Sequence, residues 1–308
     1  MADVTPRRNS ALKGLVRKLL SQQSSKVADS LALVPEAAKI RVSLTGAPET
    51  MLATLYARAL DAGRDEPFLG DNFAKDLVNR IDYDWRKTGV TARNSSAGTI
   101  RTTYFDRSAR QFLALHDRAL VLHLGCGLDD RVFRIDPGPG VEWYDVDYPE
   151  VIALVEQLYP AREHYHPVAA SVTDPAWLSD IPADRPVLVI AEGLTYYLTQ
   201  DDGIALLRRV VERFPSGELH FDVCNWLSIK VQKFNPVVRR SGSTLHWAVN
   251  EPGDILRAVP GVRLLEAVSV FETAEFKRLH NGVYQALGKL MRAVPTLRKV
   301  AQFHRYAF

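Results

Sequence analysis

The residues best suited to chemistry in this chain stand between Val121 and Glu150. There an apolar run, Val121-Leu122-His123-Leu124, stops at Gly125-Cys126-Gly127. A second apolar-aromatic run ends in Asp145-Val146-Asp147 about twenty residues later. A strand that ends on paired glycines lets its backbone pass close to a bound nucleoside. The helix that follows such a turn offers free N–H groups to the polar end of the ligand. An acid at the tip of the next strand is placed to hold ribose hydroxyls. The pattern predicts a nucleoside-cofactor site.

The glycines narrow the cofactor. A dinucleotide fingerprint has a third glycine, which permits close helix–strand packing beside a pyrophosphate. Here Gly127 is followed by Leu128-Asp129-Asp130, so that glycine is missing. Its absence disfavours NAD or FAD and suits a ligand without phosphate. S-adenosylmethionine is one: an adenosine, a sulfonium and an amino-acid tail. A later strand end at Ala191-Glu192-Gly193 adds a further acid beside a glycine.

The elements that must position these groups fall into three parts. Residues 1 to about 118 read as a helical N-terminal region or cap, with helices expected over Met51–Ala62, Asp71–Arg80 and Thr102–Ala114. From 119 onward strands and helices alternate. Strands are predicted at Val121–Leu124, Glu142–Asp145, Val187–Ala191 and Glu218–Val223, and helices at Pro149–Leu158 and Gln200–Arg213. Residues 226–260 break the pattern and read as a lid insertion over the strand ends. Val262–Phe271 and Phe303–Phe308 supply two closing strands. The expected fold class is α/β: a doubly wound, mostly parallel, Rossmann-like sheet of seven strands.

Four segments carry a family resemblance. They are Leu44-Thr45-Gly46-Ala47-Pro48-Glu49-Thr50 with Arg80-Ile81-Asp82-Tyr83-Asp84; Arg101-Thr102-Thr103-Tyr104-Phe105-Asp106-Arg107; the block from Leu124 to Glu150; and Ala191-Glu192-Gly193-Leu194-Thr195-Tyr196-Tyr197-Leu198. In this order they resemble the leucine carboxyl methyltransferase family, and most closely its bacterial branch of polyketide-type O-methyltransferases. The resemblance implies a class I methyltransferase fold that uses S-adenosylmethionine. It implies that Arg107 clamps the methionyl carboxylate. Gly125 and Gly127, with Cys126 between them, would form the turn under the cofactor. Asp147 would hold the ribose, with Asp145 the near alternative, and Glu192 beside Gly193 would sit near the amino end. Ser171-Val172 stand where relatives often carry Asp-Leu near the adenine, so the adenine contact departs from the family pattern.

Methyl transfer from a sulfonium needs an aligned nucleophile and exclusion of water. A carboxylate acceptor is already anionic; a phenol or alcohol profits from a base. Candidate bases are His220 and His246, and Tyr196 or Tyr197 is expected to hydrogen-bond the acceptor. His123, on an apolar strand, reads as a core histidine. Trp226, Phe234, Trp247 and Phe271 would line an apolar acceptor pocket if the insertion folds over it.

Composition excludes other classes. The 308 residues carry a net charge of +3, too little to argue for nucleic acid. Two cysteines, Cys126 and Cys224, support neither a disulfide framework nor a metal site. No apolar run approaches a membrane span, and the basic N-terminus is a poor signal peptide, so a cytoplasmic protein is expected. The reading is an O-methyltransferase for a small polyketide-like, aromatic or carboxylic acid acceptor. The alternatives are a protein C-terminal carboxyl methyltransferase, a nucleotide-dependent oxidoreductase, and a catalytically idle relative.

Overall fold

The computed structural model describes residues 39–42, 46, 49–279 and 282–308. The expectations for residues 1–38 and for most of the Leu44–Pro48 segment lie outside these residues. The centre is a seven-stranded sheet of β1 (Ala119–Leu124), β2 (Val141–Asp147), β3 (Tyr165–Ala169), β4 (Val187–Ala191), β5 (Gly217–Val223), β6 (Arg263–Ser269) and β7 (Gln302–Ala307). Their order across the sheet is β3-β2-β1-β4-β5-β7-β6. The first five run parallel, and β7 is antiparallel to both of its neighbours.

Every residue of β1 is buried. Its even positions, Leu120, Leu122 and Leu124, join a cluster with Leu206, Leu207, Val210 and Trp247 on one side of the sheet. Val121 joins Tyr104, Phe105, Phe112 and Trp143 on the other. Both faces are therefore covered, which is why the central strands read as continuous apolar runs rather than alternating ones. The helices around the sheet are α1 (Thr50–Ala62), α2 (Asn72–Arg80), α3 (Ser95–Leu113), α4 (Arg131–Ile135), α5 (Pro149–Leu158), α6 (Gln200–Arg213) and α7 (Gly282–Ala293). Local caps fix their starts: the Asp71 carboxylate accepts from the Ala74 N–H at 2.8 Å, and the Thr199 hydroxyl accepts from the Asp202 N–H at 3.1 Å.

Several boundaries differ from the sequence reading. Helix α3 starts at Ser95, seven residues before the expected Thr102. Strand β3 was not anticipated: it sits at the sheet edge, where Pro167 is tolerated and both faces are only partly buried. His166 lies within it. Helices α4 and α7 were also not anticipated. Residues 226–260 form three short helices, Trp226–Lys230, Pro236–Ser241 and Pro252–Ala258. No helix among the described residues is long and apolar enough to cross a membrane.

The strand order reverses between β1 and β4, because β1 leads on to β2 on one side and β4 leads on to β5 on the other. A crevice opens beyond the carboxyl ends of the strands at such a point.

Candidate active site

That crevice holds a cavity of about 180 Å³. The turn after β1 enters it with Gly125 at φ 64° and Gly127 at φ 56°, a backbone region that L side chains rarely adopt. A Cβ on Gly127 would stand 2.9 Å from the Met51 Cβ of α1, and one on Gly125 would stand 3.0 Å from Leu194 Cδ1. Glycine is therefore required twice over, by conformation and by space.

Asp147 ends β2 and points into the cavity. Its Oδ2 accepts from the Gly127 N–H at 2.8 Å and its Oδ1 from the Tyr148 N–H at 2.7 Å. Burial raises its pKa, and among the described residues no cation forms an ion pair with it. Asp145 does a different job. Its carboxylate accepts from Trp143 Nε1 at 2.8 Å, the Tyr165 hydroxyl at 2.8 Å and His123 Nδ1 at 3.0 Å, and it does not line the cavity. His123 does line it, but both ring nitrogens are engaged. Arg131 Nη1 lies 3.0 Å from Nε2. A guanidinium only donates, so Nε2 accepts and the ring is the neutral Nδ1–H tautomer.

Glu192 follows β4. Its Oε1 accepts from Arg101 Nε at 2.9 Å and the Thr102 hydroxyl at 2.8 Å, and its Oε2 accepts from Arg131 Nη2. Burial alone would raise its pKa; Arg131 and Arg101 outweigh burial and hold it at about 2. Arg101 also donates through Nη1 to the Tyr196 hydroxyl at 2.8 Å and to Asp222 Oδ2 at 3.1 Å. Asp222 Oδ1 in turn accepts from the Gly193 N–H at 2.7 Å.

Behind the cavity lies a buried ion network. Arg131, with no exposed side-chain surface, donates to Asp106 at 2.8 Å and contacts Asp129 at 3.1 Å. Arg134 holds Asp106, Asp129 and Asp130 at 2.7 to 2.9 Å. Arg58, from α1, donates to Asp71 at 2.9 Å and to the Leu128 carbonyl. Buried charges persist when each has partners of this kind.

Of the sequence-predicted residues, the structure brings Gly125, Cys126, Gly127, Asp147, Ser171, Val172, Glu192, Gly193 and Tyr197 to the cavity wall. It does not bring Arg107, Asp145, Tyr196 or His246 there. Arg107 donates through Nε to Glu275 at 2.7 Å and lines a separate surface depression with Phe68 and Arg110. The arginine at the cavity is Arg101. The two lie six positions apart on α3, about 240° around the helix axis, so they cannot face the same way. His246 is exposed, and only its backbone N–H meets the site region, donating to the Tyr196 carbonyl at 2.7 Å. His220 is buried between Ser108 at 3.0 Å and Glu218 at 2.7 Å, away from the cavity. Trp226 and Phe234 are exposed, Trp247 is in the core, and Phe271 packs on Phe276, so none lines the wall.

The sequence reading missed Arg58, Arg101 and Asp129 as wall residues, together with Thr50, Met51 and Thr54 of α1. Arg101 opens one of the singled-out segments, and helical phase was the available signal.

The fit to S-adenosylmethionine rests on the donor set. Two arginines and three carboxylates (Arg58, Arg101, Asp129, Asp147 and Glu192) line the wall. Their one-unit excess of negative charge matches a ligand with a sulfonium, an ammonium and a single carboxylate. Asp147, half-buried and without a cation among the described residues, suits a pair of hydroxyls.

The sequence profile of the leucine carboxyl methyltransferase family matches residues 51–211. The chain is 42% identical over 267 residues to the tetracenomycin polyketide synthesis O-methyltransferase TcmP of Streptomyces glaucescens, covering 87% of this chain and 98% of that one. It is 36% identical to the S-adenosyl-L-methionine-dependent methyltransferase dpfgK of Gibberella zeae, covering 79% of this chain and 88% of the relative. In fold it is similar to a Thermobifida fusca crystal structure assigned as a methyltransferase, with a TM-score of 0.54 at 16% identity, covering 81% and 93% of the two chains. The chain belongs to the leucine carboxyl methyltransferase family and is an S-adenosylmethionine-dependent methyltransferase.

Proposed function

We propose that this enzyme methylates an oxygen of a small acceptor of polyketide-like, aromatic or carboxylic acid type. The observation that carries this reading is the similarity to TcmP along nearly the whole of that O-methyltransferase. When bound, the cofactor supplies an activated methyl group.

The chain's own residues supply position and environment. In this reading Arg101 holds the methionyl carboxylate by a charge-assisted hydrogen bond from Nη2, the guanidinium nitrogen that Glu192, Tyr196 and Asp222 do not engage. Asp147 accepts from the ribose hydroxyls, and Gly125 and Gly127 let the backbone run beneath the nucleoside. Ser171 and Val172 flank the adenine. Glu192 and Asp129 supply the negative field that favours the ammonium. Helix α1 and residues 226–260 cover the strand ends and keep water out. The first contributes Thr50, Met51 and Thr54 to the wall; the second stands behind it, where Ser243 hydrogen-bonds the wall residue Tyr197, as Thr50 also does. Tyr197 is the group placed to orient an acceptor.

The cavity wall also bears on the acceptor. His123 is its one imidazole among the described residues, and both nitrogens are occupied. With no spare base, the fitting acceptor oxygen ionises by itself near neutral pH, as in a carboxylate or an acidic phenol. The test is transfer of labelled methyl to matched aromatic carboxylates, acidic phenols and simple alcohols. Transfer to the first two, with a rate that follows the acceptor's own ionisation, is expected. Alcohol turnover, or a pH profile set by the enzyme, would overturn the base-free reading; transfer to nitrogen acceptors alone would overturn oxygen as the target.

A further inference from the structure

Helix α7 is turned inside out. Its inward side carries Gly288, on which Phe276 packs, and Arg292, whose Nη1 donates to the Phe271 carbonyl at 2.8 Å. Gln285 on the same side donates to the Leu279 carbonyl at 2.6 Å. The outward side is apolar: Leu287 is 45% exposed, Leu290 57%, and Val294 just beyond the helix 40%, with Val283 exposed at the start. At about 100° per residue these four fall within an arc of about 60°. A soluble helix normally buries such a stripe.

The neighbouring segment repeats the theme. The Asn225 side chain donates to the Thr296 carbonyl at 2.9 Å and the Ser228 hydroxyl to the Val300 carbonyl at 2.8 Å, so the Trp226–Lys230 helix adjoins the stretch after α7. Trp226 and Phe234 are exposed, each with a lysine over its ring: Lys230 at 5.9 Å and Lys233 at 5.2 Å. The unpaired charge is one-sided. Residues 276–308 contain no Asp or Glu; Arg298, Lys299 and Arg305 pair with Glu272, Glu251 and Glu218 of other segments and Arg292 faces inward, which leaves Lys277, Arg278 and Lys289 without an acid partner among the described residues. Residues 226–249 carry Lys230, Lys233, Arg239 and Arg240 and again no acid.

We propose that this face docks the enzyme on an anionic lipid surface, with Leu287, Leu290, Val294, Trp226 and Phe234 entering the interface and the flanking cations meeting lipid phosphates. Exposed Trp and Phe settle at headgroup depth, aliphatic side chains reach the acyl boundary, and each nearby Lys or Arg adds attraction to an anionic leaflet. Charge selects this occupant over a second copy of the chain, because a two-fold contact would set cations against cations. The docking is peripheral and involves no spanning helix.

The test is co-sedimentation of the full-length protein with phosphatidylcholine vesicles made with and without phosphatidylglycerol. Binding to the phosphatidylglycerol vesicles alone, weakened by salt, is expected. Leu287→Ser with Leu290→Ser, and separately Trp226→Ser with Phe234→Ser, should each lower partitioning by ~10-fold or more, with melting temperature and S-adenosylhomocysteine affinity unchanged. Three results would overturn the proposal: no binding to either vesicle at low salt, binding that both variants leave intact, or binding lost only when Lys13, Arg17 and Lys18 are changed to Gln. Self-association without vesicles that Leu287→Ser and Leu290→Ser abolish would make a second copy the occupant and overturn it equally.

Discussion

The two ends of the cavity are built on opposite principles. At the end formed by β1, β2 and β4, almost every polar atom is bound to a second one: Glu192 to Arg101, Thr102 and Arg131, and Asp147 to two backbone amides. At the other end the wall is Thr50, Thr54, Tyr197 and Leu198, uncharged and drawn from α1 and the stretch after β4. The first end is preorganised for one ligand with fixed charges. The second places few electrostatic demands on its occupant.

The comparison breaks most sharply if the ionic end is not rigid. Arg131→Met leaves Glu192, Asp106 and Asp129 short of a cation in the interior, and a loss of about 3–5 kcal/mol is expected in urea unfolding; a loss under ~1 kcal/mol would mean the network relaxes freely. Next, Arg101→Ala should weaken S-adenosylhomocysteine binding by ~10- to 100-fold, as lost charge-assisted hydrogen bonds do. The same variant should leave 5′-methylthioadenosine, which lacks the amino-acid tail, unaffected, and Arg107→Ala should leave both affinities alone. Sensitivity of the binding to Arg107 would reverse the assignment.

Asp147→Asn keeps the shape but sets an NH2 against one of the two backbone N–H groups; ~10-fold in calorimetric affinity for S-adenosylhomocysteine and about 1–3 kcal/mol of stability should be lost. Tyr197→Phe probes the opposite end. A rise of ~3- to 10-fold in acceptor KM, with cofactor affinity intact, is expected from one lost neutral hydrogen bond.

The ionic end also sets a pH dependence. Glu192 titrates at about 2 in the fold against an ordinary 4.5. A lowered folded pKa adds stability that is fully present above 4.5 and is lost as pH falls toward 2. Glu192→Gln should flatten the urea midpoint against pH in that window alone.

The ionic end was also the legible end. Gly125, Gly127 and Asp147 stand at strand tips, where position along the chain dictates position in space. Arg101 was not legible because the choice between it and Arg107 depends on how α3 rolls against the sheet. Arg58 and Asp129, 71 positions apart in sequence, meet at 3.6 Å, and no local pattern encodes that. The central strands were readable because both faces are buried. Strand β3 was not, being a half-exposed edge that contains Pro167. Helix α7 has a clear helical period, but its apolar stripe faces solvent, so burial was no guide to it.

Strand β7 is made by the ribosome after both β5 and β6, yet it lies between them. Until residues 302–307 emerge, β5 presents an open edge and β6 has no strand to pair with. A nascent chain paused before that point therefore displays unpaired backbone on a hydrophobic sheet, the template that aggregation exploits. The same wedge makes completion of the fold cooperative, because a single late strand pairs with two edges at once.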